Sequence, residues 1–215
     1  MRMRRKRRLM SRIDSCAHLL ISEPEKLRGR WLDEFKFSKL HIELGCGKGS
    51  FTVKTAKSEP EVLLVGLEKI SNVIVIALER AGQAELKNVK FINRLADDLA
   101  VFFAEGEISR IYINFCDPWP ANRHKKRRMT GQPFLDIYKQ VLCPGGEIHF
   151  KTDNQELFDF SLNEFERCGF ILSDVTHNLH EHNPIGEMTD YEMKFHEMGI
   201  PIYMCVAKEK SDEDI

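Results

Sequence analysis

"LHIELGCGKGSF", residues 40–51, joins a short apolar run to a cluster of glycines and then to a segment with helical spacing. Residues 40–44 read as a strand, Gly45, Gly47 and Gly49 end it, and residues 50–58 read as a helix. Glycines between a strand and a helix let the backbone turn tightly and come close to a ligand. The same alternation continues outward from this unit. Strands are expected at 61–68, 88–93, 110–115 and 144–153, and helices at 71–86, 97–105, 132–142 and 155–169. Ser71 reads as an N-cap and Gly169 as a C-cap, and 170–175 and 201–209 are the last strand candidates. Strands alternating with helices predict an α/β fold, a mostly parallel sheet with helices on both faces. Ligands of such sheets bind outside the carboxyl ends of the strands. That rule selects residues 43–49, Glu68, residues 93–96, Asp117 and Asp153.

A chain of 215 residues, 42% of them hydrophobic, fits one domain. No apolar run approaches the roughly 18 residues of a membrane span. The basic "MRMRRKRRLMSR" is followed by no apolar run and is not a secretory signal. Six scattered Cys, with no CxxC pair and no His at ligand spacing, read as reduced cytoplasmic thiols with neither disulfide nor metal. His177, His180 and His182 lack supporting Cys or acidic ligands and read as polar surface. The layout expected is a basic N-terminal arm with short helical pieces (1–38), without apolar content to anchor it, then a domain (39–209) and an acidic tail (210–215). Net charge is −1, yet positive charge is concentrated in 2–12 and 123–128. Such segregation suggests a polyanion bound by one face.

The glycine loop is neither a P-loop nor a GxGxxG dinucleotide fingerprint. Glu43, two residues before Gly45, would repel a pyrophosphate but welcome an ammonium and a nearby sulfonium. S-adenosylmethionine carries both and has no phosphate. Glu68 suits its ribose hydroxyls, and the third strand end, Asn93 to Leu95, suits its adenine. With Leu95 in place of an acidic or amide residue, backbone groups and apolar contact would hold the base.

"NFCDPWPANRHKKRR", residues 114–128, follows the fourth strand. Proline restricts the residue before it, so Asp117 is held in one direction. Trp119 offers a wall for a base. Five Lys/Arg then fall between Arg123 and Arg128, a phosphate-binding run.

"IELGCGKG", "GLE", "NFCDPWPANRHKKRR", "PGGEIHFKTDN" and "MTDYEMKF", in this order, resemble the bacterial tRNA (guanine-N7-)-methyltransferases, the TrmB family. The resemblance covers nearly the whole chain. It implies a class I S-adenosylmethionine-dependent methyltransferase: a Rossmann-like sheet of seven strands with helices on both faces. The implied reaction is methyl transfer to N7 of guanosine 46 in the variable loop of tRNA. Carried over by position, cofactor contacts fall on Glu43, Glu68, Leu95 and Asp117, beside Gly45, Gly47 and Asn93, with Asp117 also catalytic. Substrate contacts fall on Ala121, Asp153, Thr189, Asp190, Tyr191 and Glu192. RNA contacts fall on Arg123, His124, Lys125, Lys126, Arg127 and Arg128. The family often has Asp where this chain has Leu95, and usually Lys where it has Ala121. Thr189 and Glu192 fit a helix capping box equally well. Expected partners are tRNA, with no membrane and no metal, for a monomer or homodimer. Two other readings are an amino-methyltransferase acting on adenine N6 or cytosine N4, since "NFCDPWP" loosely matches [DN]PP[YF], and a non-catalytic RNA-binding module.

Overall fold

Seven strands form one sheet in the computed structural model, which describes residues 9–181 and 186–209. Basic residues 2–8, His182 and the tail 210–215 lie outside the described residues. The strands are β1 (Lys39–Leu44), β2 (Val62–Leu67), β3 (Val89–Ile92), β4 (Ile108–Asn114), β5 (Leu142–Thr152), β6 (Ile171–Thr176) and β7 (Tyr203–Lys208). Their order is β3-β2-β1-β4-β5-β7-β6. β1 to β5 pair in parallel, whereas β7 runs antiparallel to both β5 and β6. The order reverses between β1 and β4, so their carboxyl ends diverge into a crevice.

The helices are α1 (Leu9–Asp14), α2 (Trp31–Phe35), α3 (Ser50–Ser58), α4 (Ser71–Gln83), α5 (Leu99–Phe102), α6 (Gln132–Val141), α7 (Gln155–Arg167) and α8 (Asp190–Glu197). Alternating residues of β2 bind the two layers. Leu63, Val65 and Leu67 face the cluster holding Trp31, Tyr138 and Phe158. Leu64 faces the one holding Phe51, Ile74 and Leu78. All six residues of β2 are buried, as the continuous apolar run of a central parallel strand requires.

Local boundaries differ from expectation where side chains have other partners. Ile70, not Ser71, is the N-cap of α4, because the Ser71 hydroxyl donates to Asn93 Oδ1 (2.7 Å). The C-cap of α7 is Cys168, with Gly169 next at φ +83°. The stretch 97–105 holds only the short α5, preceded by a 3-10 turn at Ala96–Asp98. Residues 9–38 pack onto the domain. Leu19 and Trp31 are buried, and the Trp31 indole N–H donates to the Phe102 carbonyl (2.9 Å). Arg12 binds both carboxylate oxygens of Glu79 on α4. Ile13, Leu20, Ile21, Leu27, Phe35 and Phe37 pack against the same two clusters, so the apolar content not expected of this stretch is there in scattered form. Among the described residues no helix is long and apolar enough to cross a membrane.

Candidate functional site

A cleft of about 500 Å³ opens at the carboxyl ends of β1, β2, β3 and β4. Gly45 begins the loop after β1 at φ +71°, and a Cβ there would meet nothing within 4 Å, so the backbone is open to the cleft. Gly49 is different. A Cβ would lie 2.9 Å from the Ala77 Cα, so this glycine lets the loop pack on α4.

On the β2 side, Glu68 Oε1 accepts from the Ile70 N–H (2.8 Å) and Oε2 from the Gly47 N–H (3.2 Å). Each oxygen keeps a lone pair, so the carboxylate can still accept from two hydroxyls. Asn93 does not line the cleft. Its amide donates to the Glu68 carbonyl (2.7 Å) and its oxygen accepts from Ser71, which ties β3 to β2 beneath Glu68. Leu95 and Ile70 are exposed apolar side chains that both line the cleft. Asp97, which the sequence reading passed over, lines it too.

Glu43 lies below this surface, 3% exposed. Thr52 Oγ1 donates to one of its oxygens and Asn114 Nδ2 to the other (3.2 Å). Burial pushes its carboxyl up to about 7, against the two hydrogen bonds that favour ionisation. Near neutrality this group is therefore poised to change charge with its surroundings.

On the β4 side the chain leaves the strand through two residues in the left-handed region, Phe115 (φ +53°) and Trp119 (φ +42°). A bulky residue with positive φ costs of order 1–3 kcal/mol and persists only where its surroundings impose it. Asp117 lies between them, exposed at the cleft. Beside it, burial pushes the Cys116 thiol up to about 12, so that sulfur stays protonated and is no nucleophile.

The basic run forms a 3-10 helix, Asn122–Arg127, and its charges separate by direction. Arg123, Lys125, Lys126 and Arg127 are exposed, and Lys126 and Arg127 also line the cleft. The Arg127 guanidinium lies 5.2 Å from the Trp119 ring centre, and His124 meets the same ring edge-on (5.5 Å). Arg128 departs from the expectation of an RNA contact. It is 5% exposed, with Nε donating to the Pro118 carbonyl (2.9 Å) and Nη2 to the Trp119 carbonyl (3.2 Å). Ala121 is exposed at the start of the 3-10 helix, where its carbonyl accepts from the His124 N–H (2.8 Å).

The expected substrate contacts do not gather at the cleft. Asp153 and residues 189–192 line none of it. Thr189 and Glu192 form a complete capping box on α8. Glu192 is fully buried, with both oxygens 3.3 Å from Lys151 Nζ and His180 Nε2 at 3.4 Å. Burial lowers the Lys151 pKa, and the Glu192 charge opposes that shift. Asp190 pairs with Arg80 (2.9 Å). Tyr191 is exposed, its ring 5.2 Å from Phe115, and so reaches the cleft wall indirectly. Among the described residues no group of three or more His, Cys, Asp or Glu is placed to hold a metal ion.

A family model described as "Putative methyltransferase" matches residues 38–205. Solved structures share the architecture at low identity. The 16S rRNA methyltransferase KamB superposes with a TM-score of 0.61 at 14% identity, over 86% of this chain and 92% of that one. An antibiotic-related methyltransferase gives 0.59 at 18%, over 83% and 92%. A mutant 16S rRNA (adenine(1408)-N(1))-methyltransferase from Catenulisporales acidiphilia, solved with its cosubstrate S-adenosylmethionine, gives 0.57 at 12%, over 85% and 93%. At these identities the match is one of fold, a class I methyltransferase sheet.

Proposed function

The chain belongs to this methyltransferase family, which includes the TrmB-type tRNA methyltransferases, and on that premise we propose that it methylates N7 of guanosine 46 in the variable loop of tRNA. S-adenosylmethionine is the cofactor; when bound, it supplies an electrophilic methyl group on a sulfonium. The residues of the cleft fit it. Glu68 has lone pairs for a ribose diol, Ile70 and Leu95 offer apolar surface for adenine, and Gly45 leaves the backbone open. Glu43, beneath the loop, would be drawn into its ionised form by a cation above it. Asn93 serves the same pocket by holding the Glu68 backbone.

Guanine N7 has an in-plane lone pair and no proton, so no residue has to act as a base. The protein's work is alignment and electrostatics. Asp117 faces the charge that develops on the alkylated imidazole ring, or accepts from the guanine N1–H and exocyclic amine. The observation that carries the RNA reading is the shared cleft. Lys126 and Arg127 line the same cavity as Glu68 and Asp117, so phosphate-binding charge begins where the pocket ends. Several neighbours in fold are named as rRNA methyltransferases, in keeping with an RNA acceptor. Such a reaction belongs in the cytoplasm.

The test is to incubate the protein with labelled S-adenosylmethionine and unmodified tRNA, then cleave with borohydride and aniline, which cut at N7-methylguanosine. Label and cleavage should coincide in the variable loop. Label recovered as N6-methyladenosine would favour the amino-methyltransferase instead.

A further inference from the structure

We propose that Arg128 is a positioning residue for methyl transfer and takes no part in gripping RNA; this rests on the functional reading above. The residue closes the basic run in sequence, yet its side chain points the other way. It is 5% exposed, and its guanidinium lies 4.3 Å from the ring centre of Phe160 on α7. From that seat two N–H groups reach the carbonyls of Pro118 and Trp119, at 2.9 and 3.2 Å.

Those two peptides follow Asp117 directly, and Trp119 holds φ +42°. A turn in this region relaxes unless something holds it. The Arg128 fork bridges two successive carbonyls, a geometry a planar guanidinium provides and an ammonium does not. Its own backbone is fixed as well, since its N–H donates to the Lys125 carbonyl (3.1 Å) and its carbonyl accepts from the Gly131 N–H (2.9 Å). A Cβ on Gly131 would meet those same two carbonyls at 3.0 and 3.1 Å, so the turn leaves little slack. Arg128 thus couples α7 to the direction of Asp117 and Trp119. With 5% of the residue exposed, two of its N–H groups on carbonyls and a ring against it, this cation is turned away from the surface where the rest of the run lies.

The experiment compares Arg128→Gln, Arg128→Lys and Arg127→Gln. For each, kcat and tRNA KM are measured across salt concentrations, together with acrylamide quenching of tryptophan fluorescence. Trp31 is fully buried, so quenching reports Trp119, the other of the two tryptophans. Arg128→Gln should lower kcat about 10- to 100-fold, as a misaligned reacting group does. Its tRNA KM and salt slope should stay unchanged while quenching rises, and Arg128→Lys should recover part of the loss. Arg127→Gln should instead raise KM and reduce the salt slope by about one phosphate contact. An Arg128→Gln enzyme with kcat intact, raised KM and a smaller salt slope would make Arg128 an RNA contact and overturn the proposal. If Arg128→Gln fails to fold, Phe160→Leu takes its place, removing the seat while keeping the charge. It should show a smaller kcat loss and higher quenching, and no change in either would overturn the proposal. Should the wild type methylate no RNA, the functional reading fails, and quenching alone still decides whether Arg128 braces the turn.

Discussion

On the β2 side of the cleft, Glu68 is held by backbone N–H groups two residues ahead and 21 residues behind it, from two successive strand–loop–helix units. On the β4 side, Asp117 sits between two strained residues, and the turn that follows it is held by Arg128 from a helix-packed seat. The first side is held within the ends of three neighbouring parallel strands, by Gly47 after β1 and Asn93 after β3. The second works only if α7 and the 3-10 helix are both in place. Recognition of the cofactor should therefore be robust to distant changes, and alignment of the acceptor should be sensitive to them.

The sharpest way to break this contrast is Asp117→Ala. Loss of a group facing developing charge should lower kcat about 100- to 1,000-fold. Binding of S-adenosylmethionine, followed by calorimetry, should weaken far less. Next in size is Glu68→Ala, which removes hydrogen bonds to a charged group, each worth about 1.5–3 kcal/mol. The net loss of one such bond would raise cofactor Kd about 10- to 100-fold, while tRNA KM holds. The double change Arg123→Gln with Lys125→Gln should raise tRNA KM several-fold. It should also lower the salt slope by about two contacts and leave cofactor binding alone.

The smallest effect concerns Glu43, whose carboxyl burial raises to about 7, above its unfolded value. A group with a raised folded pKa favours the folded state when protonated, and that contribution is lost as pH rises toward 7. A bound cation reverses the preference by favouring the ionised form. Cofactor affinity should therefore tighten a few-fold from pH 6 to pH 8, and Glu43→Gln should flatten that profile. A titration of both proteins by calorimetry in two buffers would show the proton released in one and not the other.

Much of the β2 side was legible because strand, glycine loop and acidic strand end follow each other in sequence with their own spacing. The mostly parallel sheet with helices on both faces followed from alternation, and its seven strands from the family resemblance; the strand order did not. What could not be read was depth. Arg127 and Arg128 are neighbours in a uniform basic run, yet one is exposed and the other buried, because the 3-10 helix ends between them against α7. The T-x-x-E spacing of Thr189 and Glu192 announced a capping box, and the box is there. The partner that buries Glu192, Lys151, is 41 residues away on β5, and no spacing rule reports a contact of that range. Trp31 shows the same limit, since three aromatics close together, Trp31, Phe35 and Phe37, give no sign of which one is fully buried.

The central claim is that a guanine N7 in RNA accepts the methyl group. It is tested most directly by offering tRNA in which guanosine 46 is replaced by 7-deazaguanosine, where a C–H stands in place of N7. Methyl incorporation from labelled S-adenosylmethionine should disappear while the substituted tRNA still competes for binding with the ordinary one. Incorporation at the unsubstituted rate would contradict the account.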